Sequence, residues 1–270
     1  MVARPAFRPP PDGPPPVTPA KLSAFLIVKD EAARLPRTLA ALEGLADQVA
    51  VVDSGSSDAT VAIARAAGAE VFHRDWTGYG AQKRFAEDRC RHDWLLNVDA
   101  DEVVTPELAR EIRATLAADP APAAYVIRIL NVYPGAERPR PLANDYAVVR
   151  LYHRSVGRYR DHPLFDRVEV EGPTRRLRAP IFHFPFLDWH GLVAKENAYS
   201  SFQAEAAKPR ALWKLRLRLL VEGPFVFLKS WLARGHVLGG WNGFVFSVVI
   251  AFARFMRVAK MIERETARRR

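Results

Sequence analysis

Apolar residues along this chain fall into two rhythms. Four short apolar runs, at 23–28 (SAFLIV), 48–53 (QVAVVD), 69–74 (AEVFHR) and 93–99 (DWLLNVD), have the length and content of strands covered on both faces. The segments between them carry helix signals at their ends. Pro36 suits a first turn and Gly44 a stop, and Asp58 stands where it can cap a helix ending at Gly68. Thr105-Pro106-Glu107 combines a cap with proline at the first turn, and Leu108, Ile112 and Leu116 then recur at helical spacing. Strand and helix in repeated alternation predict an α/β domain on a mostly parallel sheet with right-handed crossovers.

In an open sheet of this kind the ligand site lies beyond the carboxyl ends of the strands. Those ends are acidic here: Lys29-Asp30-Glu31 after the first, Asp53-Ser54-Gly55-Ser56-Ser57-Asp58 after the second and Asp99-Ala100-Asp101-Glu102 after the fourth. Desolvating an unpaired carboxylate costs on the order of several kcal/mol, so the run LLNVDADEV requires partners outside the sheet. Asp99 and Asp101 can reach one point, and two hard oxygen ligands with phosphate oxygens and water suit Mg²⁺ or Mn²⁺. A cation held there neutralises a departing diphosphate.

After about residue 120 the alternation fades into turn-rich sequence with Arg, Tyr and His, up to about Phe186. Residues 225–260 then mix apolar blocks, Trp231, Trp241 and regularly placed Lys or Arg. Their longest uncharged piece, 237–253, has 17 residues with a Gly-Gly and an Asn, marginal for a membrane span. Aromatic anchors with cationic flanks fit helices lying in a bilayer interface, and a buried core hairpin is the alternative. The boundaries expected are a Pro-rich disordered tail at 1–20, a catalytic domain at 21–190 and a helical, membrane-interface region with a basic end at 191–270. The first segment has no continuous apolar stretch and does not read as a signal peptide.

The balance of 40 basic and 30 acidic residues, +10 in all, fits an anionic membrane or a phosphorylated small molecule. Nucleic acid is not expected, because the basic residues gather in the apolar tail and form no nucleic-acid module. The single cysteine, Cys90, excludes an intrachain disulfide and points to a reducing compartment.

Taken together and in order, SAFLIVKDEAARLPRTLAAL, VVDSGSSDATVAIARAAGAEVF, WTGYGAQKRFA and WLLNVDADEVVTPEL resemble family 2 glycosyltransferases with the GT-A fold, in particular the lipopolysaccharide core group of the WaaE/KdtX type. The resemblance implies a Rossmann-like domain that moves a hexose, with inversion, from a nucleotide sugar such as UDP-hexose to a lipid-linked glycan. It implies a cytoplasmic enzyme on the inner face of the cytoplasmic membrane. Residue by residue, it places Asp53 at the uracil or ribose with Asp58 supporting that loop, and Glu31 facing the nucleoside. Gln82 and Lys83 fall near the diphosphate, in GYGAQKR where the family has GYGAQKN. Asp99 and Asp101 match the metal and sugar-nucleotide motif, and His183 resembles a histidine that completes the metal shell or contacts the diphosphate.

Neither aspartate can serve as base while holding a metal, so the acceptor hydroxyl needs another carboxylate. The resemblance nominates Asp166, in LFDR where the group has VHER, with Phe165 in place of its histidine. Glu169 and Glu171 are the fallbacks, Arg150 is a candidate contact to acceptor or diphosphate, and Tyr152, Tyr159 and Trp189 are candidate sugar platforms or core. Two other classes are weighed: a catalytically impaired membrane scaffold, and a sugar nucleotidyltransferase. The latter lacks support because VKDEAARLP has no glycine-rich phosphate loop.

Overall fold

The computed structural model describes residues 19–118, 121, 123–143, 145–162 and 166–269. Most of the Pro-rich segment, and Phe165, lie outside the described residues. The first half of the chain is β1 (Leu22–Val28), α1 (Leu35–Leu42), β2 (Gln48–Asp53), α2 (Thr60–Ala66), β3 (Glu70–His73), α3 (Tyr79–Asp88), β4 (Trp94–Asn97), β5 (Glu102–Val104) and α4 (Pro106–Ala117). Strands order β3-β2-β1-β4, all parallel, as the alternation predicts.

Both faces of this sheet are covered. Leu22, Ala24, Leu26 and Val28 pack with Leu35, Leu39 and Leu42 of α1 and Leu108, Ile112 and Leu116 of α4. Phe25, at odd parity, joins Ala50, Val52, Leu95, Ala86 and Tyr152 on the other side, as the two-residue side-chain period of a strand requires. Cys90 is free and buried there, and burial pushes its thiol up to about 12.

Helix ends follow the sequence with one shift. Thr105 accepts the Leu108 N–H at 3.2 Å, and Gly44 ends α1 at φ +66°. The N-cap of α2 is Ala59; Asp58 works from one position earlier, taking the Thr60 N–H at 2.9 Å. The fourth strand stops at Asn97, two residues short of expectation. Its last pairing is Phe25 with Asn97, and a turn closes with Glu102 N–H on the Asp99 carbonyl at 2.9 Å, so Asp99 already lies outside the sheet.

Residues read only as turn-rich form β6 (Ala124–Asn131), β7 (Tyr146–His153), the hairpin β8 (Gly157–Tyr159) and β9 (Val168–Val170), β10 (Thr174–Arg176) and β11 (Ile181–His183). The nine-stranded sheet continues from β4 through antiparallel β7 and β6 to β11 and β5, with β10 beside β6. β11 runs parallel to β6 and antiparallel to β5, a register that sets His183 opposite both Asn131 and Glu102.

From Trp189 the chain is helical: α5 (Trp189–Glu205), α6 (Leu212–Leu228), a π turn (Lys229–Ala233), a 3-10 turn (His236–Gly239) and α7 (Gly240–Ala267). Ala204, Leu215, Val258 and Met261 form a small core of their own. Lys260 and Arg264 of α7 donate to the Asn197 and Ala204 carbonyls of α5 at 3.0 and 2.6 Å. No helix among the described residues is long and apolar enough to cross a membrane. The 237–253 stretch is divided between the 3-10 turn and the start of α7.

The helical layer docks on the sheet at Tyr133, whose hydroxyl lies 2.6 Å from His236 Nδ1. A Cβ on Gly239 would stand 2.6 Å from the Tyr133 ring, so glycine is needed for this approach. Burial, aided by Arg140, pushes His236 down to about 4. Between pH 4 and the ordinary histidine range the unfolded chain therefore binds a proton there that the folded chain does not, and stability falls as pH drops through that window. In denaturant titrations at pH 7 and pH 5, His236→Gln is expected to flatten this dependence; an unchanged pH slope would remove His236 from the docking contact.

Candidate active site

The first two βα loops are stapled to each other. Asp30, at φ +54°, accepts the Ser57 N–H at 2.7 Å, Asp58 accepts the Ala32 N–H at 3.0 Å, and the Glu31 N–H reaches Thr60 Oγ1 at 2.8 Å. Asp53 is buried, and its carboxylate takes the N–H groups of Gly55 and Ser56 at 3.0 and 3.1 Å, shaping its own loop. Gln82 is buried beneath that loop and donates to Ser54 Oγ at 2.8 Å and to the Arg74 carbonyl at 2.9 Å. Both Glu31 oxygens are taken by Arg34, at 2.6 and 2.7 Å. Burial raises the Glu31 carboxyl, against the pull of Arg34.

The centre of the site is Lys83, which α3 carries to full burial at 1% exposure. Its ammonium lies 2.9 Å from Asp99 Oδ1, 2.7 Å from Asp166 Oδ2 and 3.2 Å from Asn97 Oδ1. Arg150 of β7, also buried, binds the other Asp99 oxygen at 2.7 Å and Glu102 at 2.5 Å, and reaches Asn97 Oδ1 as well. Tyr159 adds a hydroxyl to the same Asn97 oxygen at 2.7 Å. Burial would raise Asp99, yet Arg150 and Lys83 hold it well below the usual carboxylate range. Burial likewise opposes the charged forms of Lys83 and Arg150, yet Asp99 holds both well above their ordinary values. Lys83 and Asp99 are therefore both charged.

Asp101 faces a different set. Its Oδ2 lies 3.2 Å from His183 Nε2 and 3.4 Å from Arg34 Nη1, while His183 Nδ1 meets Asn131 Oδ1 at 2.8 Å. Burial would lower His183, and the Asp101 carboxylate outweighs it and raises the group. The turn is held from both sides by Thr38 Oγ1 on the Ala100 carbonyl at 2.8 Å and the Phe184 N–H on the Asp101 carbonyl at 2.8 Å. Among the described residues no group of three or more His, Cys, Asp or Glu side chains is arranged to hold a metal ion.

The structure thus gathers Lys83, Asp99 and Asp166 at one end of the turn, with Asp101 and His183 at the other. Glu31, Asp53, Asp58 and Gln82 build the adjoining loops. Asp166, Asp99, Arg150, Tyr146 and Tyr159 line a cavity of about 520 Å³. Glu169 pairs with Arg160 at 3.4 Å on the exposed hairpin. Tyr152 is core, its hydroxyl on the buried Glu87. Asn97, Glu102 and Arg34 were not singled out from sequence. The available signal was spacing, since Asn97, Asp99 and Asp101 alternate at the two-residue period of a strand.

Gly80 lets α3 pass close under the backbone at Arg160 and His162. Its N–H donates to the His162 carbonyl at 3.0 Å, and a Cβ there would stand 2.2 Å from the Arg160 carbonyl and 2.6 Å from the His162 nitrogen. The second glycine of GYGAQKR lets backbone cross backbone.

A mixed sheet with an acidic rim at the carboxyl ends of its parallel strands is the architecture expected of a GT-A glycosyltransferase. Residues 23–177 match the family described as Glycosyl transferase family 2, and the chain belongs to that family. It is 37% identical over 254 residues to an uncharacterized glycosyltransferase of Rickettsia felis, covering 90% of each chain. It is 28% identical over 264 residues to the lipopolysaccharide core biosynthesis glycosyltransferase LpsC of Rhizobium meliloti, covering 92% of this chain and 94% of that one. Among solved structures it is similar to S. aureus TarS 1–349, at 14% identity and TM-score 0.47 over 92% of this chain and 91% of that one, a likeness too loose to add to the assignment.

Gly80→Ala is expected to lower unfolding stability by about 1–3 kcal/mol, because the 160–162 backbone has to move. A denaturant midpoint equal to wild type would mean that this crossing is not tight.

Proposed function

We propose that the protein transfers a hexose from a UDP-sugar to a lipid-linked glycan of the lipopolysaccharide core type, with inversion, and that Asp166 is the base. The observation that carries this is the placement of Asp166 in one cavity with Asp99, 2.7 Å from Lys83. A base has to stand beside the sugar donor without being tied to the donor's metal. The 42% exposure of the Asp166 side chain supports that role. It takes the proton of the acceptor hydroxyl as that oxygen bonds the anomeric carbon; the bond from this carbon to the diphosphate breaks on the opposite face, and UDP leaves. Lys83 and Arg150 supply fixed positive charge beside the reacting centre, the kind of preorganised electrostatics that stabilises a departing anion.

Asp101 and His183 are the residues that fit a divalent cation, one carboxylate oxygen and one imidazole nitrogen on the same side of the turn. Mg²⁺ or Mn²⁺ held there would neutralise diphosphate charge. Asp99 joins such a shell only by giving up an oxygen now held by Lys83 or Arg150. The lipopolysaccharide core relative supports the acceptor class. The helical region supports membrane attachment at an anionic inner-leaflet surface: apart from Trp76, Tyr79, Leu142 and Tyr146, every large exposed apolar residue among those described lies at or after Leu187.

UDP release from a panel of UDP-hexoses, with membrane glycolipid extract as acceptor and with or without Mn²⁺ or Mg²⁺, tests the reading. Asp166→Asn is expected to lower kcat by about 10²–10⁴ with donor KM nearly unchanged. Asp101→Asn is expected to raise the metal concentration needed for half-maximal rate. Full activity in Asp166→Asn would remove the base, and equal rates with chelator present would remove the metal.

A further inference from the structure

One large cavity lies away from the acidic rim. It has a volume of about 1020 Å³ and lies among α5, α6 and α7. That is at the upper end of the ~300–1,000 Å³ typical of small-molecule sites.

Its wall on α6 is a single apolar stripe. Trp213, Leu217, Val221 and Phe225 recur every fourth residue along one face of the helix, and all four line the cavity. Helical residues at this spacing ordinarily face a core. Here they are 65%, 58%, 58% and 60% exposed, so the stripe has no covering partner among the described residues. Ile250 and Ala253 of α7 supply the opposite apolar wall.

The lining is also positively charged. Arg218 and Arg254 share the carboxylate of Glu222, at 2.8 and 3.3 Å, which leaves that trio with a net positive charge. Lys214 and Lys229 rest on the rings of Trp213 and Phe225 and have no carboxylate partner among the described residues. Long apolar walls under a rim of unpaired cations complement one kind of molecule, a hydrocarbon tail with an anionic head.

The cavity also leads somewhere. Glu196 and Arg234 line both it and a second cavity of about 610 Å³, which reaches Asn131, the partner of His183. Tyr133 and Phe186 in turn line both this second cavity and a third of about 280 Å³ that contains Arg34 and Asp101. A path of shared walls therefore runs from the apolar stripe to the Asp101 end of the candidate active site.

We infer that the cavity among α5, α6 and α7 binds the hydrocarbon tail of a phosphorylated lipid, with Lys229, at the end of the stripe nearest the second cavity, at its phosphate, and that the adjoining cavities carry the lipid's polar extension toward Asp101. The tail site stands on its own geometry; its assignment to the acceptor rests on the transferase reading above. In that assignment the helical region selects the acceptor by its anchor, and the membrane is the source from which the anchor is drawn.

The test is titration of the full-length protein with dodecyl phosphate below its micelle-forming concentration, with binding followed by calorimetry. One molecule is expected to bind per chain. Inorganic phosphate, with the head alone, and dodecyl maltoside, with an uncharged head, are expected to bind at least about tenfold more weakly. Leu217→Asp, and separately Lys229→Glu, are each expected to weaken dodecyl phosphate about tenfold or more. These positions are on exposed helix surface, and circular dichroism checks that the variants fold. Equal binding of all three ligands, unchanged affinity in both variants, or binding to anionic vesicles without binding to the monomeric amphiphile would each overturn the site. UDP titration of the same protein separates the two readings. Amphiphile binding without nucleotide binding removes the transferase assignment and keeps the tail site, while nucleotide binding without amphiphile binding does the reverse.

Discussion

A buried ammonium group organises this molecule. Lys83 cannot be desolvated without anionic partners, because an isolated buried charge would cost more than a domain's net stability. It finds them in two segments far apart in sequence, the turn after β4 and the loop carrying Asp166. Arg150 repeats the arrangement from β7, binding Asp99 and the buried Glu102. Asn97 accepts from both cations with a single carbonyl oxygen. The cluster therefore ties the parallel half of the sheet, through α3 and β4, to the antiparallel half, through β7 and the segment at 166. Removing one member of such a cluster leaves the others charged and unpaired, which is the costly way to break a buried ion pair.

This arrangement explains which parts were legible in the sequence. The parallel half has a strong local signal, since strands covered on both faces read as continuous apolar runs and helices between them carry caps. The second half does not. β7 begins exposed and becomes buried only toward its end, and β8 to β11 have three residues each, too short for a periodic pattern. Asp99 and Asp101 were nameable from the acidic end of the fourth strand, and Lys83, Asp166 and His183 because the resemblance to family 2 glycosyltransferases covers them. Their division around the turn was not, because it depends on which cation reaches which oxygen. Asp53 and Gln82 were expected at the nucleotide; in the structure their side chains hold the loop that would receive it.

The helical region follows a different physical rule from the sheet. Its own core is small, and its contact with the rest of the molecule depends on tight glycine approaches: a Cβ on Gly239 would stand 2.6 Å from the Tyr133 ring, and one on Gly243 would stand 3.3 Å from the Tyr133 hydroxyl. What it does not bury is a set of aromatic and aliphatic residues beside lysines and arginines. Apolar surface left uncovered among the described residues marks a site of interaction. Cavities that adjoin one another through shared wall residues lie between that surface and Asp101.

The claim that one buried ion cluster supports both fold and site is tested most directly by a double-mutant cycle on unfolding free energy with Lys83→Met and Asp99→Asn. The single substitutions should each destabilise the protein, and the double variant should recover part of the loss, with a coupling of about 1–3 kcal/mol. Additive effects, within about 0.5 kcal/mol, would contradict the account and reduce Lys83 to an incidental neighbour of Asp99.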